Sequence, residues 1–164
     1  MTKDRHPVTA AVRVLREHGV AFTHHPYEYV ERGGTEVSAR ELGVPENAVI
    51  KTLVMEDDHG HPLVVLMHGD REVSTKNLAR FLGAKSVVPC APAVADRHSG
   101  YQVGGTSPFG TRRAMPVYLE RSIAKLPRLY INGGKRGYLV GMVPADLVRV
   151  LKPTLVDVAI AKGD

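Results

Sequence analysis

The sequence predicts an α+β fold. Three observations carry this. Runs rich in β-branched residues, such as VIKTLVME at 49–56 and YLVGM at 138–142, recur along the chain. Short amphipathic segments bounded by Pro, Ser, Thr and Gly interleave with them. Turn signals between neighbouring runs are frequent, so hairpins are expected alongside helices. No repeat, linker or low-complexity segment divides the 164 residues, and a single domain over 1–164 is expected.

Taken in order, residues 9–18 read as a helix: Val8, Ala11, Val12 and Leu15 recur at helical spacing, Pro7 suits its start and Gly19 its exit. VAFTHHPYEY at 20–29 is extended, and ERGGT is a loop. Thr35 is placed to cap a helix, EVSAREL, that stops at Gly43. VIKTLVME and PLVVLMH form a hairpin about the turn EDDHGHP. STKNLARFL is a helix with Ser74 or Thr75 as cap and Gly83 as stop; KSVVPC is a short strand; APAVADRHS is a helix. After a long glycine-rich loop come the strand AMPVYLE, the helical turn ERSIAKL, the strand RLYIN, the turn GGKRG and the strand YLVGM. PADLVRVLK is a helix opened by Pro144, and TLVDVAI is a last strand.

Composition narrows the function. Hydrophobic residues make up 43% of the chain, as in an ordinary globular domain. No apolar run approaches the ~20 residues that span a bilayer, and the first residues lack a signal-peptide core, so a cytoplasmic protein without membrane partners is expected. The single cysteine, Cys90, cannot form an internal disulfide and reads as a small buried hydrophobe. The net charge of +5 leans toward anionic partners. Few aromatics argue against a stacking platform for long single strands.

Three stretches carry candidate chemistry. In VIKTLV, strand alternation sets Lys51 on one face with Val49 and Leu53. Such a lysine either snorkels to water at a strand edge or stands at a cleft wall to hold an anion or polarise a carbonyl. In GYQVGGTSPFGTRR, at 100–113, small residues let a ligand approach the main chain, whose N–H groups can receive an oxyanion. The loop has neither the P-loop spacing nor the dinucleotide fingerprint. INGGKRG, at 131–137, is again glycine-rich and then basic. A plain hairpin turn accounts for it in isolation; beside the first loop it suggests a shared polyanion surface. The histidine pairs His24–His25 and His59/His61 lack a carboxylate or cysteine framework, so no metal and no cofactor are expected. There is no GxSxG nucleophile elbow.

Together, IKTLV, GYQVGGTSPFG and INGGKRG, in this order and spacing, resemble the YbaK-type Cys-tRNA(Pro)/Cys-tRNA(Cys) deacylase family, relatives of the editing insertion domain of bacterial prolyl-tRNA synthetase. The resemblance runs from the first helix to TLVDVAI. It implies a mixed, largely antiparallel curved sheet flanked by short helices, and an activity that removes a wrong amino acid from tRNA. It implies that Lys51 is the essential strand lysine and Tyr27 a pocket residue. Gly104, with Gly105, Thr106, Ser107 and Pro108, is implied to hold the aminoacyl end, and Asn132, Gly133 and Gly134 to line the pocket. Arg112, Arg113, Lys135 and Arg136 are expected to continue the surface toward tRNA phosphates, through contacts that should be salt-sensitive. It implies, further, that the nucleophile is the substrate's own cysteinyl sulfur, that no cofactor is used, and that prolyl-tRNA synthetase is a partner presenting the tRNA.

The sequence departs from the family pattern at Asn132, where many relatives carry serine, and at Leu139 and Gly141, which replace acidic residues. These changes bear on substrate choice. A relative acting on alanine or serine must use water in place of the thiol. A module that only binds tRNA or a synthetase has no need of Lys51.

Overall fold

The computed structural model describes residues 6–163. Helix α1 (Ala10–Glu17) starts at Thr9, whose hydroxyl accepts the Val12 N–H at 3.0 Å. That hydroxyl, rather than Pro7, sets the start. Strand β1 (Thr23–Pro26) follows. Helix α2 (Gly34–Leu42) begins before the expected cap: Thr35 lies inside it, and its hydroxyl donates to Glu46 Oε2 at 2.7 Å and to the Gly69 carbonyl at 3.1 Å. Gly43 ends it in the left-handed region, at φ +67°.

Strands β2 (Val49–Asp57) and β3 (Pro62–His68) form the expected hairpin. The Asp57 carboxylate closes its tip by accepting the His59 and His61 amides at 2.8 and 2.9 Å. Strand β4 (Arg71–Val73) leads to α3 (Thr75–Leu82), capped by Ser74. Strand β5 (Val87–Pro89), helix α4 (Pro92–Ser99), the long loop, strand β6 (Val117–Glu120) and a 3-10 segment (Arg121–Lys125) come next. Strands β7 (Leu129–Lys135) and β8 (Tyr138–Met142), helix α5 (Pro144–Leu151) and strands β9 (Thr154–Val156) and β10 (Ala159–Ala161) complete the order.

Two expectations are corrected. Gly133 and Gly134 belong to β7, not to a turn: the strand bulges between Asn132 and Lys135 and resumes its pairing with β8, so only Arg136 and Gly137 separate the two strands. TLVDVAI is not one strand. It breaks at Asp157, where the Val158 N–H turns to the buried Glu120 carboxylate at 2.7 Å, and β10 leaves the main sheet to pair with β4.

The main sheet runs β1-β8-β7-β2-β3-β6-β9, with β5 on the far end of β2. Pairs β1·β8, β7·β8, β2·β3 and β2·β5 are antiparallel, while β2·β7, β3·β6 and β6·β9 are parallel, so the sheet is mixed. Strand β3 is buried on both faces: Val64 and Leu66 join the core under α1 and α5, whereas Leu63, Val65 and Met67 join the core under α3. Among the described residues, no helix is long and apolar enough to cross a membrane.

The long loop is pinned from inside. Phe109 is fully buried, and the Tyr101 hydroxyl donates to its carbonyl at 2.6 Å. Burial pushes the Tyr101 phenol from 10.0 up to about 12. The unfolded chain thus loses this proton near pH 10 while the folded chain keeps it, and stability falls as pH rises through that window, by up to about 1.4 kcal/mol per pH unit. Tyr101→Phe, which strands the Phe109 carbonyl, is expected to cost about 1–2 kcal/mol at neutral pH. Urea melts at pH 7 and pH 11 check both statements: the gap between the two proteins narrows at the higher pH.

Candidate active site

The site arises where β2 loses its neighbours on one side. Strand β7 pairs only with Val49 and Ile50, and β5 begins at Met55. Val49 accepts the Gly69 N–H on the β3 side, so the peptide groups of Lys51 and Leu53 also face β3, and those of Thr52 and Val54 face the gap. The Val54 carbonyl receives the Cys90 N–H at 3.1 Å. Among the described residues no strand lies opposite Thr52. A cavity of about 400 Å³ opens there. Its walls are β2, the start of α2, the β5–α4 junction and the loop at Val103, Gly104 and Thr106, with Tyr27, Asn132 and Leu139 closing one end.

Lys51 lines this cavity and is half-buried. Its ammonium donates to the Arg71 carbonyl of β4. Burial, then the nearby Lys162, hold its pKa below the ordinary lysine value, against the opposing pull of Glu72, Glu46 and Asp70. Lys162 is in turn ion-paired to Glu46 at 3.0 Å, and Glu46 accepts the Thr35 hydroxyl. The ribbon of β4 and β10 therefore frames the lysine from behind.

Asn132 joins the two glycine-rich stretches. Its Nδ2 donates to the Gly104 carbonyl at 3.1 Å, and its Oδ1 accepts the Gly134 and Lys135 amides at 2.6 and 3.1 Å. One side chain thus fixes the β7 bulge and the loop together. This is how the sequence accommodates the departure at 132: an amide reaches both partners. Gly104 sits at φ +91°, where a Cβ would come within 2.7 Å of the Tyr29 hydroxyl, so only glycine fits without strain.

The structure sorts the remaining sequence candidates. Tyr27, Lys51, Gly104, Thr106 and Asn132 meet at the cavity. Gly105, Ser107, Pro108, Gly133 and Gly134 do not line it. Ser107 and Pro108 are buried, and the Ser107 hydroxyl accepts the Phe109 N–H at 3.3 Å. Gly105 and Gly133 serve close packing, against the Lys135–Arg136 backbone and the Tyr138 ring respectively. Arg112 and Arg113 are exposed, anchored by main-chain bonds to Ser99 and His98, and do not line this cavity. Lys135 is exposed, whereas Arg136 is half-buried, with Nε donating to the Val103 carbonyl at 2.8 Å. Leu139 lines the cavity; Gly141 lies outside it, under Thr23, His25 and Arg128. The histidines have other partners. His24 bonds the Tyr138 hydroxyl and stacks on His6, His25 bonds Thr23, and His59 and His61 sit beside Asp58 and Asp57.

Among the lining residues that are not sequence candidates, Thr52 stands out. The Thr52 hydroxyl is buried in the cavity wall and has no hydrogen-bond partner among the described residues. Alternation places it on the face opposite Lys51, and only the missing neighbour strand lets both residues reach one cavity.

The titratable lining groups are Tyr27, Lys51 and Cys90; no carboxylate, imidazole or guanidinium is on the wall among the described residues. Burial raises the Tyr27 phenol, and burial followed by Glu56 raises the Cys90 thiol, so both stay protonated at neutral pH. The cavity offers one cation, hydroxyls and main-chain N–H groups in an otherwise apolar shell. That equipment can orient an ester and hold an oxyanion. Among the described residues it presents no carboxylate or imidazole, the usual general bases for water.

Known proteins share this architecture. The family model described as the aminoacyl-tRNA editing domain matches residues 32–150. The protein named "Putative Cys-tRNA(Pro)/Cys-tRNA(Cys) deacylase EbsC" from Enterococcus faecalis is 28% identical over 141 residues, covering 85% of this chain and 86% of that one. A proline–tRNA ligase of Nitratidesulfovibrio vulgaris is 33% identical over 111 residues, which are 68% of this chain and 17% of the ligase. The crystal structure of "a putative trans-editing enzyme for prolyl tRNA synthetase" superposes with a TM-score of 0.80 at 20% identity, covering 95% of this chain and 100% of that chain. Hypothetical protein APE2540 superposes at 0.85 with 21% identity, covering 93% of this chain and 100% of that chain. At these identities the two structures speak for the fold.

Proposed function

The chain belongs to the aminoacyl-tRNA editing domain family, whose activity is deacylation, and on that premise we propose that it removes cysteine from mischarged Cys-tRNA(Pro) by using the substrate's own thiol. The observation that carries this reading is the cavity wall: it has a cation and hydrogen-bond donors but, among the described residues, no carboxylate or imidazole to activate a water.

The reaction balances without a protein nucleophile. The cysteinyl sulfur attacks the ester carbonyl carbon, and a C–S bond forms. The carbonyl oxygen becomes an oxyanion beside the Lys51 ammonium and the main-chain donors of Thr52 and Gly104. The bond from carbonyl carbon to ribose oxygen then breaks, and the thiol proton ends on that oxygen. Cysteine leaves as a four-membered thiolactone, which water opens outside the site. The cavity's contribution is orientation and charge stabilisation in an apolar shell.

This chemistry also supplies selectivity. A pocket that only measures size separates proline from cysteine by about 1–3 kcal/mol. A requirement for a thiol rejects the correct ester outright. The match to a ligase segment supports prolyl-tRNA synthetase as the partner that presents the tRNA. Arg112, Arg113 and Lys135 are proposed to meet phosphates; their exposure is compatible with that role.

The test compares Cys-tRNA(Pro) and Pro-tRNA(Pro) under single-turnover conditions. Cysteine is expected to be released rapidly, with the prolyl ester decaying at its spontaneous rate. Equal spontaneous decay of both esters would exclude the activity.

A further inference from the structure

The cavity has a neighbour that none of the foregoing uses. A recess of about 330 Å³ shares Tyr27, Gly34, Val103 and Gly104 with it. We propose that this recess binds the adenine base of the terminal nucleotide, with Tyr29 and Arg136 as its stacking platform. The inference rests on the reading that the first cavity receives the aminoacyl ester.

The geometry points this way for three reasons. The Arg136 guanidinium lies over the Tyr29 ring, 5.1 Å from its centroid, and its Nε is tied to the Val103 carbonyl at 2.8 Å. A flat cation held on a flat ring is a pre-ordered surface for a nucleobase. Val30 and Val103, 48% and 42% exposed, flank it, which suits the apolar faces of a base. Finally, Gly104 is common to both recesses, and its missing side chain is what lets Tyr29 and Arg136 close up to the loop: a Cβ there would meet the Tyr29 hydroxyl at 2.7 Å and Arg136 Nε at 3.2 Å. The ester sits on the ribose of the terminal adenosine. A ribose at Gly104 therefore puts the acyl group on one side and the base on the other.

This reassigns Arg136. Its guanidinium, engaged with Val103 and Tyr29, serves stacking before it serves phosphate. The short platform also differs from the extended stacking surface that the sparse aromatics exclude.

The experiment uses the full chain and an uncharged acceptor-stem minihelix of tRNA(Pro) whose terminal adenine is replaced by 2-aminopurine, alongside deacylation of Cys-tRNA(Pro). Stacking quenches 2-aminopurine fluorescence. Wild type is expected to quench it on binding; Tyr29→Phe retains the quench; Tyr29→Ala loses it and raises KM about tenfold or more, with kcat nearly unchanged. Circular dichroism melts establish that Tyr29→Ala is folded, and Arg136→Lys, which keeps the charge but not the plane, gives an independent loss of quench. Unchanged quench and KM in Tyr29→Ala would overturn the proposal. So would a salt-dependent loss in Arg136→Lys with Tyr29→Ala unaffected, which marks a phosphate contact instead. A Tyr29-dependent quench in a protein that deacylates nothing supports the base site and rejects the deacylase reading, so the two fail separately.

Discussion

Lys51→Ala is expected to reduce deacylation of Cys-tRNA(Pro) by about 10²–10³-fold while leaving the fold intact. The size follows from the role. Removing one oxyanion donor in a water-poor site typically costs that much in rate, and Lys51 is the one cationic side chain on the cavity wall among the described residues. The fold survives because the side chain contributes little else. Its peptide groups stay in the β2·β3 ladder, and the carbonyl it releases, on Arg71, belongs to an exposed residue that water can reach. Single-turnover rates and thermal melts measured together check both halves. The sign of the pH effect is also fixed. Burial lowers the Lys51 pKa, so the ammonium is lost on the alkaline side sooner than for an ordinary lysine. Enzymatic turnover, corrected for spontaneous ester decay, should decline there first. A Lys51→Ala protein that keeps its fold and its rate would remove Lys51 from the mechanism.

Much of this could be read from the chain because local chemistry specified it. Ser74, Gly43, Gly83 and Pro144 mark helix ends by capping and by backbone preference, and each does so in the structure. The β2–β3 hairpin follows from two apolar runs about a polar tip. Lys51 stood out because a cation among apolar residues on one strand face needs a reason. What escaped has no local signal. The β4·β10 pairing joins short segments far apart in sequence, and it depends on Glu120 turning the chain at Val158. GGK reads as a turn until its pairing with β8 is known, because the bulge is held by the Asn132 side chain rather than by a propensity. Ser107 and Pro108 look like exposed loop residues, yet Phe109 draws them into the core. Thr52 and the Tyr29–Arg136 pair are legible only once the gap beside β2 and the loop above it are built.

The second large effect concerns the substrate rather than the protein. A correctly placed internal nucleophile has an effective concentration that water cannot match, worth about 10⁵ M or more. Without the sulfur the cavity retains its cation and donors but has, among the described residues, no carboxylate or imidazole to recruit water, so the ester should persist. Seryl-tRNA(Pro) keeps the size and exchanges sulfur for a far weaker nucleophile; S-methylcysteinyl-tRNA(Pro) keeps the sulfur but cannot form the thiolactone. Both are expected to fall at least about 100-fold below the cysteinyl ester. The measurement is the single-turnover rate for the three esters on one tRNA with wild-type protein. Rapid loss of the cysteinyl ester alone is the predicted result. Loss of the seryl or S-methylcysteinyl ester at the cysteinyl rate would contradict it and make water the nucleophile.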